Sequence, residues 1–132
     1  MTVDHISVVK DLYRKFALKD YECIRAIFSE KIEWNQMEGF PGGGRYVGAD
    51  DIFRNVFNGF KDNWTSWKAE VEEWLDAGNE VVAIGYYYGV HKETGKEFKA
   101  AFAHRYVLDN GRIIRFDQYT DTHIIAEAMA TE

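Results

Sequence analysis

The residues of this sequence that could do chemistry in a buried site are one histidine and one glutamine on neighbouring predicted strands. In the run EFKAAFAHRYVL, Phe102 and His104 share one face of a strand, whereas Arg105 lies on the other. Because charged side chains favour the solvated face, His104 is predicted to point inward. The same alternation in RIIRFDQYT places four residues on the inner face: Ile114, Phe116, Gln118 and Thr120. An imidazole can exchange a proton and an amide can orient a substrate, so the pair indicates acid/base or hydrogen-bonding chemistry.

Aromatic residues are expected to form the walls around these two polar groups. Trp34 alternates with the polar Glu33 and Asn35, so its indole is predicted to point inward, although core packing without a functional role explains the position equally well. Both faces of the run VVAIGYYYGV are apolar. Tyr86 and Tyr88 are predicted to be the inward pair, because glycines on the alternate face would permit close packing from behind.

The position of His104 has a second interpretation, since a histidine on an apolar face is commonly a hydrogen-bonded core residue. A pocket role is favoured here because Gln118 also points inward. The tight turn Asn110-Gly111 joins the two strands, so His104 and Gln118 are predicted to be neighbours on one cavity wall and to share a ligand.

Other kinds of site find little support in the sequence. The run PGGGR lacks the Lys-Ser/Thr pair that completes a phosphate-binding loop, so the glycine cluster at 39–44 is interpreted as a mobile lid. Cys23, the only cysteine, lies among apolar helix positions that favour buried packing over reactivity. No metal and no other cofactor is expected, because the histidines are scattered, at His5, His91, His104 and His123.

The composition indicates one compact domain over residues 1–132. The chain is 46% hydrophobic and 16% aromatic, which is ample for a core. Its net charge of −6, without a basic stripe, argues against a nucleic-acid partner. No basic segment followed by an apolar stretch begins the sequence and no long apolar run follows, so neither secretion nor a membrane is expected and the cytoplasm is the default location.

The elements that must position these side chains fall into a helical first half and a strand-rich second half. Apolar spacing predicts helices from about Asp4 to Leu18, from Asp20, from Asp50-Asp51 and over Ile124–Met129, the last capped by Asp121 or Thr122. Alternation predicts a short strand, Ile32–Gln36, and four longer ones near Trp67–Leu75, Val81–Val90, Lys96–Leu108 and Ile113–Thr120. This order indicates an α+β fold, a cone-shaped curved antiparallel sheet wrapped around the N-terminal helices with a central pocket.

The same order of elements resembles a known family across nearly the whole chain. The short strand IEWNQ, the helix start GADDI and the run FAHRYVLDNGRIIRFDQYTD are similar to the SnoaL-like branch of the nuclear transport factor 2-like superfamily, which is related to ketosteroid isomerases. This resemblance implies a pocket for a small, largely apolar molecule. It also implies an isomerase, cyclase or hydrolase that works without a cofactor, or a binding module that catalyses nothing.

The sequence departs from the family pattern where its enzymes carry an acid. The positions that resemble the catalytic carboxylates hold Asn35, Gln36 and Gln118, amides that cannot take a proton at neutral pH. Glu38 could approach the pocket mouth from the glycine loop. Tyr13 resembles in placement the helical tyrosine of ketosteroid isomerases but is one residue out of register, so core packing is favoured.

Two functions from different classes remain open. The first is an enzyme that acts on a small cyclic or polyketide-like substrate, with His104 as general acid/base or oxyanion donor and Gln118 and Trp34 orienting the substrate. The second is a binding module for a hydrophobic ligand, in which the polar residues serve as hydrogen-bond anchors.

The outer sheet face predicts an assembly. Alternation places Ala101, Ala103, Val107 and Tyr87 outward, which is more apolar than a solvated face usually is. A homodimer formed through the sheet is therefore expected.

Overall fold

The structure, a computed structural model, describes residues 4–131. Its helices are α1 (His5–Ala17), α2 (Tyr21–Ile27), α3 (Ala49–Ile52), α4 (Asn58–Asn63) and α5 (Thr122–Met129), with a π-helical turn, Phe53–Phe57, joining α3 to α4. Its strands are β1 (Phe28–Gln36), β2 (Gly44–Val47), β3 (Trp64–Asp76), β4 (Glu80–His91), β5 (Glu97–Asp109) and β6 (Arg112–Thr120). None of the described helices has the length and apolarity needed to cross a membrane.

The six strands form one curved, unclosed sheet in the order β2-β1-β6-β5-β4-β3. Strands β3 to β6 are the antiparallel meander that the alternation predicts. The turn between β5 and β6 has positive φ at both Asn110 (51°) and Gly111 (82°), which a type I′ hairpin requires. One pair departs from the antiparallel pattern, since β1 runs parallel to β6. The long connection between these two strands allows this, because no tight turn fixes their direction.

Three aspartates begin helices where the sequence predicts them. The side chains of Asp4, Asp20 and Asp121 each accept a hydrogen bond from the backbone N–H three residues further along. The helices α1 to α3 then pack against the sheet through an apolar cluster in which Val9, Ile24 and others have no exposed surface. This cluster occupies the concave side of the sheet and forms one end of the site.

A second apolar cluster closes the other end. Ile125 and Ala128 of α5 pack with Phe98 and Trp64, and Phe40 from the glycine loop joins them. The loop is therefore anchored by a buried aromatic side chain rather than lying wholly on the surface. Together α5 and Phe40 cover the part of the inner sheet face that α1 does not reach.

The expected inward orientation of Tyr86 and Tyr88 is wrong, as is the outward one of Tyr87. Tyr87 is buried, and Lys99 Nζ lies 4.3 Å from the ring centroid of Tyr86 on the outer face. The flanking glycines lie on the inner face for a steric reason. A Cβ at Gly85 would stand 1.9 Å from the carbonyl oxygen of Glu70 on β3, closer than any side chain allows.

Two further expectations from the sequence are wrong. Strict alternation predicts that Ile114 points inward, yet it is exposed. The reason is a bulge beside Val107, which shifts the pairing of β5 with β6 by one residue. Cys23 lies on the exposed face of α2 rather than in the core. A hydrogen bond to the Asp20 carboxylate raises the pKa of its thiol, which disfavours the reactive thiolate.

Candidate functional site

A cavity lies between α1, the end of the 49–63 helical segment and the concave face of the sheet. The centre of a water molecule can occupy about 50 Å³ of it, which exceeds the roughly 10–15 Å³ that one buried water needs. Aromatic and aliphatic side chains form most of the wall, including Trp34 and Phe116, whose rings stack with centroids 3.8 Å apart. No Lys, Arg, Asp or Glu side chain is among its lining residues in 4–131, and the polar ones are Tyr13, Gln36, Tyr87, His104, Tyr106 and Gln118.

His104 is held between two tyrosines that come from different elements. Its Nδ1 lies 2.5 Å from the hydroxyl of Tyr13 on α1, and its Nε2 is hydrogen-bonded to the hydroxyl of Tyr87 on β4. The Tyr106 hydroxyl donates to that of Tyr13 over 2.8 Å. Both nitrogens of the imidazole are thus occupied by side chains of the protein.

The donors and acceptors of these hydrogen bonds depend on which nitrogen of His104 carries the proton. Accepting from Tyr106 leaves the Tyr13 proton free to be donated to Nδ1 of His104, which describes one of the two neutral tautomers. A neutral imidazole with an accepting Nδ1 carries its proton on Nε2 and donates it to Tyr87. Gln118 Nε2 also donates to the Tyr87 oxygen, over 2.8 Å. In this tautomer the Tyr87 hydroxyl proton has no acceptor among the described residues, so it is available to a molecule in the cavity.

Burial keeps this chain neutral. It lowers the pKa of His104 from 6.5 to about 3, because a charged imidazolium would lose its hydration. Burial likewise raises the pKa of Tyr13, Tyr87 and Tyr106 above the usual value for a phenol. At neutral pH the histidine is uncharged and all three tyrosines keep their protons.

The glutamines complete the polar surface. Gln118 is the cross-strand partner of His104, and its Oε1 accepts the backbone N–H of Met37 over 3.0 Å. Gln36 uses its Oε1 to accept the indole N–H of Trp34 at 2.9 Å. The Nε2 of Gln36 has no acceptor among the described residues, so it is a second donor available in the cavity.

The structure brings together most of the residues that the sequence singled out. His104, Gln118, Trp34 and Phe116 line the cavity. Phe102 does not line it but stacks behind His104, with centroids 4.0 Å apart. Tyr86 and Tyr88 lie on the far side of the sheet, and Glu38 is exposed away from the wall.

Sequence reasoning missed two residues at the centre of the site. Tyr13 was assigned to packing, and its resemblance to the helical tyrosine of ketosteroid isomerases was the signal that pointed to it. Tyr87 lies between Gly85 and Gly89, and this Gly-x-Tyr-x-Gly pattern was a signal for the crowded concave face, where glycines make room for a large side chain.

The chain is similar to known proteins in both sequence and fold. Residues 9–116 match the SnoaL-like domain family. An NTF2-like protein from Burkholderia thailandensis shares 36% identity and superposes with a TM-score of 0.92, over 96% of this chain and 97% of its own. No protein of curated function matches the chain.

Two more distant structures share the fold. TerC, co-crystallised with polyporic acid, has 21% identity and a TM-score of 0.85, covering 95% of this chain and 97% of its own. A proposed SnoaL-like polyketide cyclase from Shewanella putrefaciens has 15% identity and a TM-score of 0.80, with both chains covered fully at 100%.

Proposed function

The chain belongs to the SnoaL-like domain family, and from this premise we propose that its cavity binds a small, largely apolar cyclic or polyketide-like molecule through an oxygen acceptor such as a ketone. The proposal rests on the Tyr87 hydroxyl, which lines the cavity and accepts from Gln118, and whose own proton is unused in the tautomer that carries the His104 proton on Nε2. A hydroxyl that accepts two hydrogen bonds and keeps its own proton is a polarised donor aimed at whatever oxygen enters the cavity.

The chemistry of such a site is polarisation of a carbonyl. Tyr87, together with the amide of Gln36, donates to the oxygen and stabilises negative charge that develops on it during an isomerisation or cyclisation. His104 supports this step through its hydrogen bond to Tyr87 and acts as a positioning residue. Transfer of the Tyr87 proton to the substrate is disfavoured, because the raised pKa of this buried phenol keeps the proton on its oxygen.

One observation favours binding without turnover as a second function. The described wall carries no carboxylate, and the lowered pKa of His104 makes it a weak base whose two nitrogens are both hydrogen-bonded to tyrosines. A substrate whose reaction needs removal of a C–H proton would find no strong base there. The cavity would then hold its ligand by the same donors and release it unchanged.

Ligand titration tests the proposed function. Cyclohexenone, an apolar cyclic ketone, is added while its carbonyl infrared band and the tryptophan fluorescence are followed, since Trp34 and Trp67 line the cavity. We expect binding with a shift of the carbonyl band to lower frequency. In Tyr87→Phe that shift should become smaller, because only the Gln36 amide still donates to the oxygen, and affinity should fall about two- to tenfold, the range of one neutral hydrogen bond.

The matched control is Tyr86→Phe, which removes the same hydroxyl from the neighbouring residue on the outer face. It should leave both the carbonyl band and the affinity unchanged. A bound ketone whose band is the same in Tyr87→Phe would refute Tyr87 as the donor. Polyporic acid, the molecule co-crystallised with TerC, is a second ligand for the same titration. A rate that falls about 10²-fold or more in Tyr87→Phe on any substrate found to react would favour the enzyme over the binding module.

We propose that the protein performs this function in the cytoplasm, as a homodimer of single-domain chains. The homodimer is supported by the apolar centre of the outer sheet face, where Tyr119 is 52% exposed beside Ala103.

A further inference from the structure

A surface depression lies directly outside the cavity and shares a wall with it. Five residues line both spaces: Phe16, Phe57, Phe60, Trp67 and Ala69. The depression, here named the vestibule, is bounded by the end of α1 and Lys19, by Tyr21 and Lys61, and by residues 64–69 of β3. The centre of a water molecule can occupy about 350 Å³ of the vestibule. A single layer of side chains therefore separates the cavity from solvent on this side.

Three rings of that layer form what we name the gate, Phe16, Phe60 and Trp67. Phe60 and Trp67 stack with centroids 4.5 Å apart, and Phe16 meets Phe60 edge-on at 6.0 Å. All three are only half-buried. They are held by ring contacts and not by hydrogen bonds between their side chains, and they are the side chains that a ligand reaching from one space into the other would have to displace.

The described charged residues that line the vestibule are all lysines, although burial and the nearby Asp62 carboxylate both raise the pKa of Tyr21 on its wall. Its lining contains Lys19, Lys61 and Lys68, and no carboxylate side chain among the described residues, although the whole chain has a net charge of −6. Lys68 is paired with Glu70 at 2.9 Å. Lys19 and Lys61 are exposed and form no ion pair with any residue in 4–131.

The cavity has the opposite character, since its described wall offers hydrogen-bond donors and apolar rings but no formal charge. We infer that the natural ligand is an amphiphilic anion: its ketone-bearing ring occupies the cavity, and a short tether through the gate places an anionic oxygen group between Lys19 and Lys61. This inference rests on the proposed function of the cavity and adds the second half of the ligand. The wide, solvated vestibule suits a charged group, because such a group keeps much of its water there.

The test compares an acid with its own ester. The probes are 4-benzoylbutyrate, an aryl ketone with a carboxylate on a short tether, and its uncharged methyl ester. Dissociation constants are measured by tryptophan fluorescence at low and at high salt. We expect the acid to bind about tenfold more tightly than the ester at low salt, the scale of two exposed ion pairs, and the difference to vanish at high salt.

Two double variants test whether the tighter binding of the acid depends on Lys19 and Lys61. Lys19→Gln with Lys61→Gln should bring the acid to the affinity of the ester and leave the ester unchanged. Lys31→Gln with Lys92→Gln changes the net charge equally at exposed lysines outside the vestibule and should keep the tenfold preference.

The outcomes separate the inference from the proposal on which it rests. If ester and acid bind equally in the wild type, the cavity proposal stands and the vestibule inference is overturned. A preference that survives Lys19→Gln with Lys61→Gln, or one that the control pair also removes, overturns it as well. If neither probe binds, both the proposed function and this inference fall.

Discussion

At the scale of single residues, His104 has a structural role that can be measured without knowing the ligand. It is the partner of two buried hydroxyls, those of Tyr13 and Tyr87. His104→Ala removes both hydrogen bonds and opens a void, so the free energy of unfolding should fall by about 2–4 kcal/mol. Urea unfolding followed by circular dichroism measures the change. His123→Ala is the control, since that side chain is 80% exposed and its loss should cost less than about 0.5 kcal/mol. Equal effects in the two variants would contradict the buried role of His104.

The protonation of His104 makes stability depend on pH in a defined window. Burial lowers its pKa in the folded protein from 6.5 to about 3. Below pH 6.5 the unfolded chain therefore binds a proton that the folded chain does not, and this favours unfolding as the pH falls. The contribution of His104 is fully present above pH 6.5 and is lost by about 1.4 kcal/mol per pH unit as the pH falls towards 3.

Comparing the wild type with His104→Phe isolates the contribution of His104 to the pH dependence of the unfolding free energy. Between pH 6.5 and about 5, the unfolding free energy of the wild type should fall more steeply than that of the variant. The difference in slope should be close to that of one bound proton, about 1.4 kcal/mol per pH unit. Carboxylates with lowered pKa, such as that of Glu33, add to the loss at lower pH in both proteins. Parallel pH profiles across the window would show that His104 is not held neutral by burial.

Much of the site could be predicted residue by residue, and the failures have physical causes. Alternation of charged and apolar residues was enough to orient His104 and Gln118. It could not orient the tyrosines of β4, because both faces of that strand are apolar and the deciding factor is the close approach of β3 at Gly85. It could not join Tyr13 to His104 either, since helical periodicity reports a buried face and not a partner 91 residues away.

At the scale of elements, the close approach of β3 to β4 at Gly85 determines where Tyr87 points. Gly85 faces the carbonyl of Glu70, 1.9 Å from where a Cβ would lie, so Gly85→Ala forces β3 away from β4. We expect a loss of about 3 kcal/mol in unfolding free energy, the upper range for overpacking. Gly59→Ala is the control, because its added Cβ in α4 meets nothing nearer than 3.9 Å and should stabilise by roughly 0.5–1 kcal/mol. A Gly85→Ala protein as stable as the wild type would mean that the two strands are not packed this closely.

The elements themselves were predictable where their signals are local. Capping aspartates and the Asn110-Gly111 turn marked the helix starts and the final hairpin correctly. Strand β2 was missed, because its four residues follow a glycine run and gain their order from pairing with β1. The parallel pairing of β1 with β6 is equally non-local. Pairings between distant segments depend on tertiary packing, which no window of sequence contains.

At the scale of the whole molecule, the outer sheet face is apolar at its centre and charged at its border, which supports the proposed homodimer. Ile84, Tyr86, Ala101 and Ala103 lie near its centre and Tyr119 lies opposite Ala103. An ionic ladder borders this patch, with Arg105 held between Glu80 and Asp117, joined by Arg115, Glu33 and Arg45. An apolar centre with a charged border is the arrangement of a specific interface.

The homodimer proposed for this face predicts how the chain sediments. The wild type should sediment as a dimer at micromolar concentration. Ala103→Glu should give a monomer with unchanged circular dichroism, because the new carboxylate would be buried without a partner beside Tyr119 of each copy. Leu18→Glu introduces the same charge at an apolar residue that is 69% exposed and lies outside the sheet, after α1, so that variant should remain a dimer. Analytical ultracentrifugation distinguishes the three cases. A wild type that is monomeric at these concentrations, or an Ala103→Glu protein that stays dimeric, would show that the apolar sheet face is not the contact between copies.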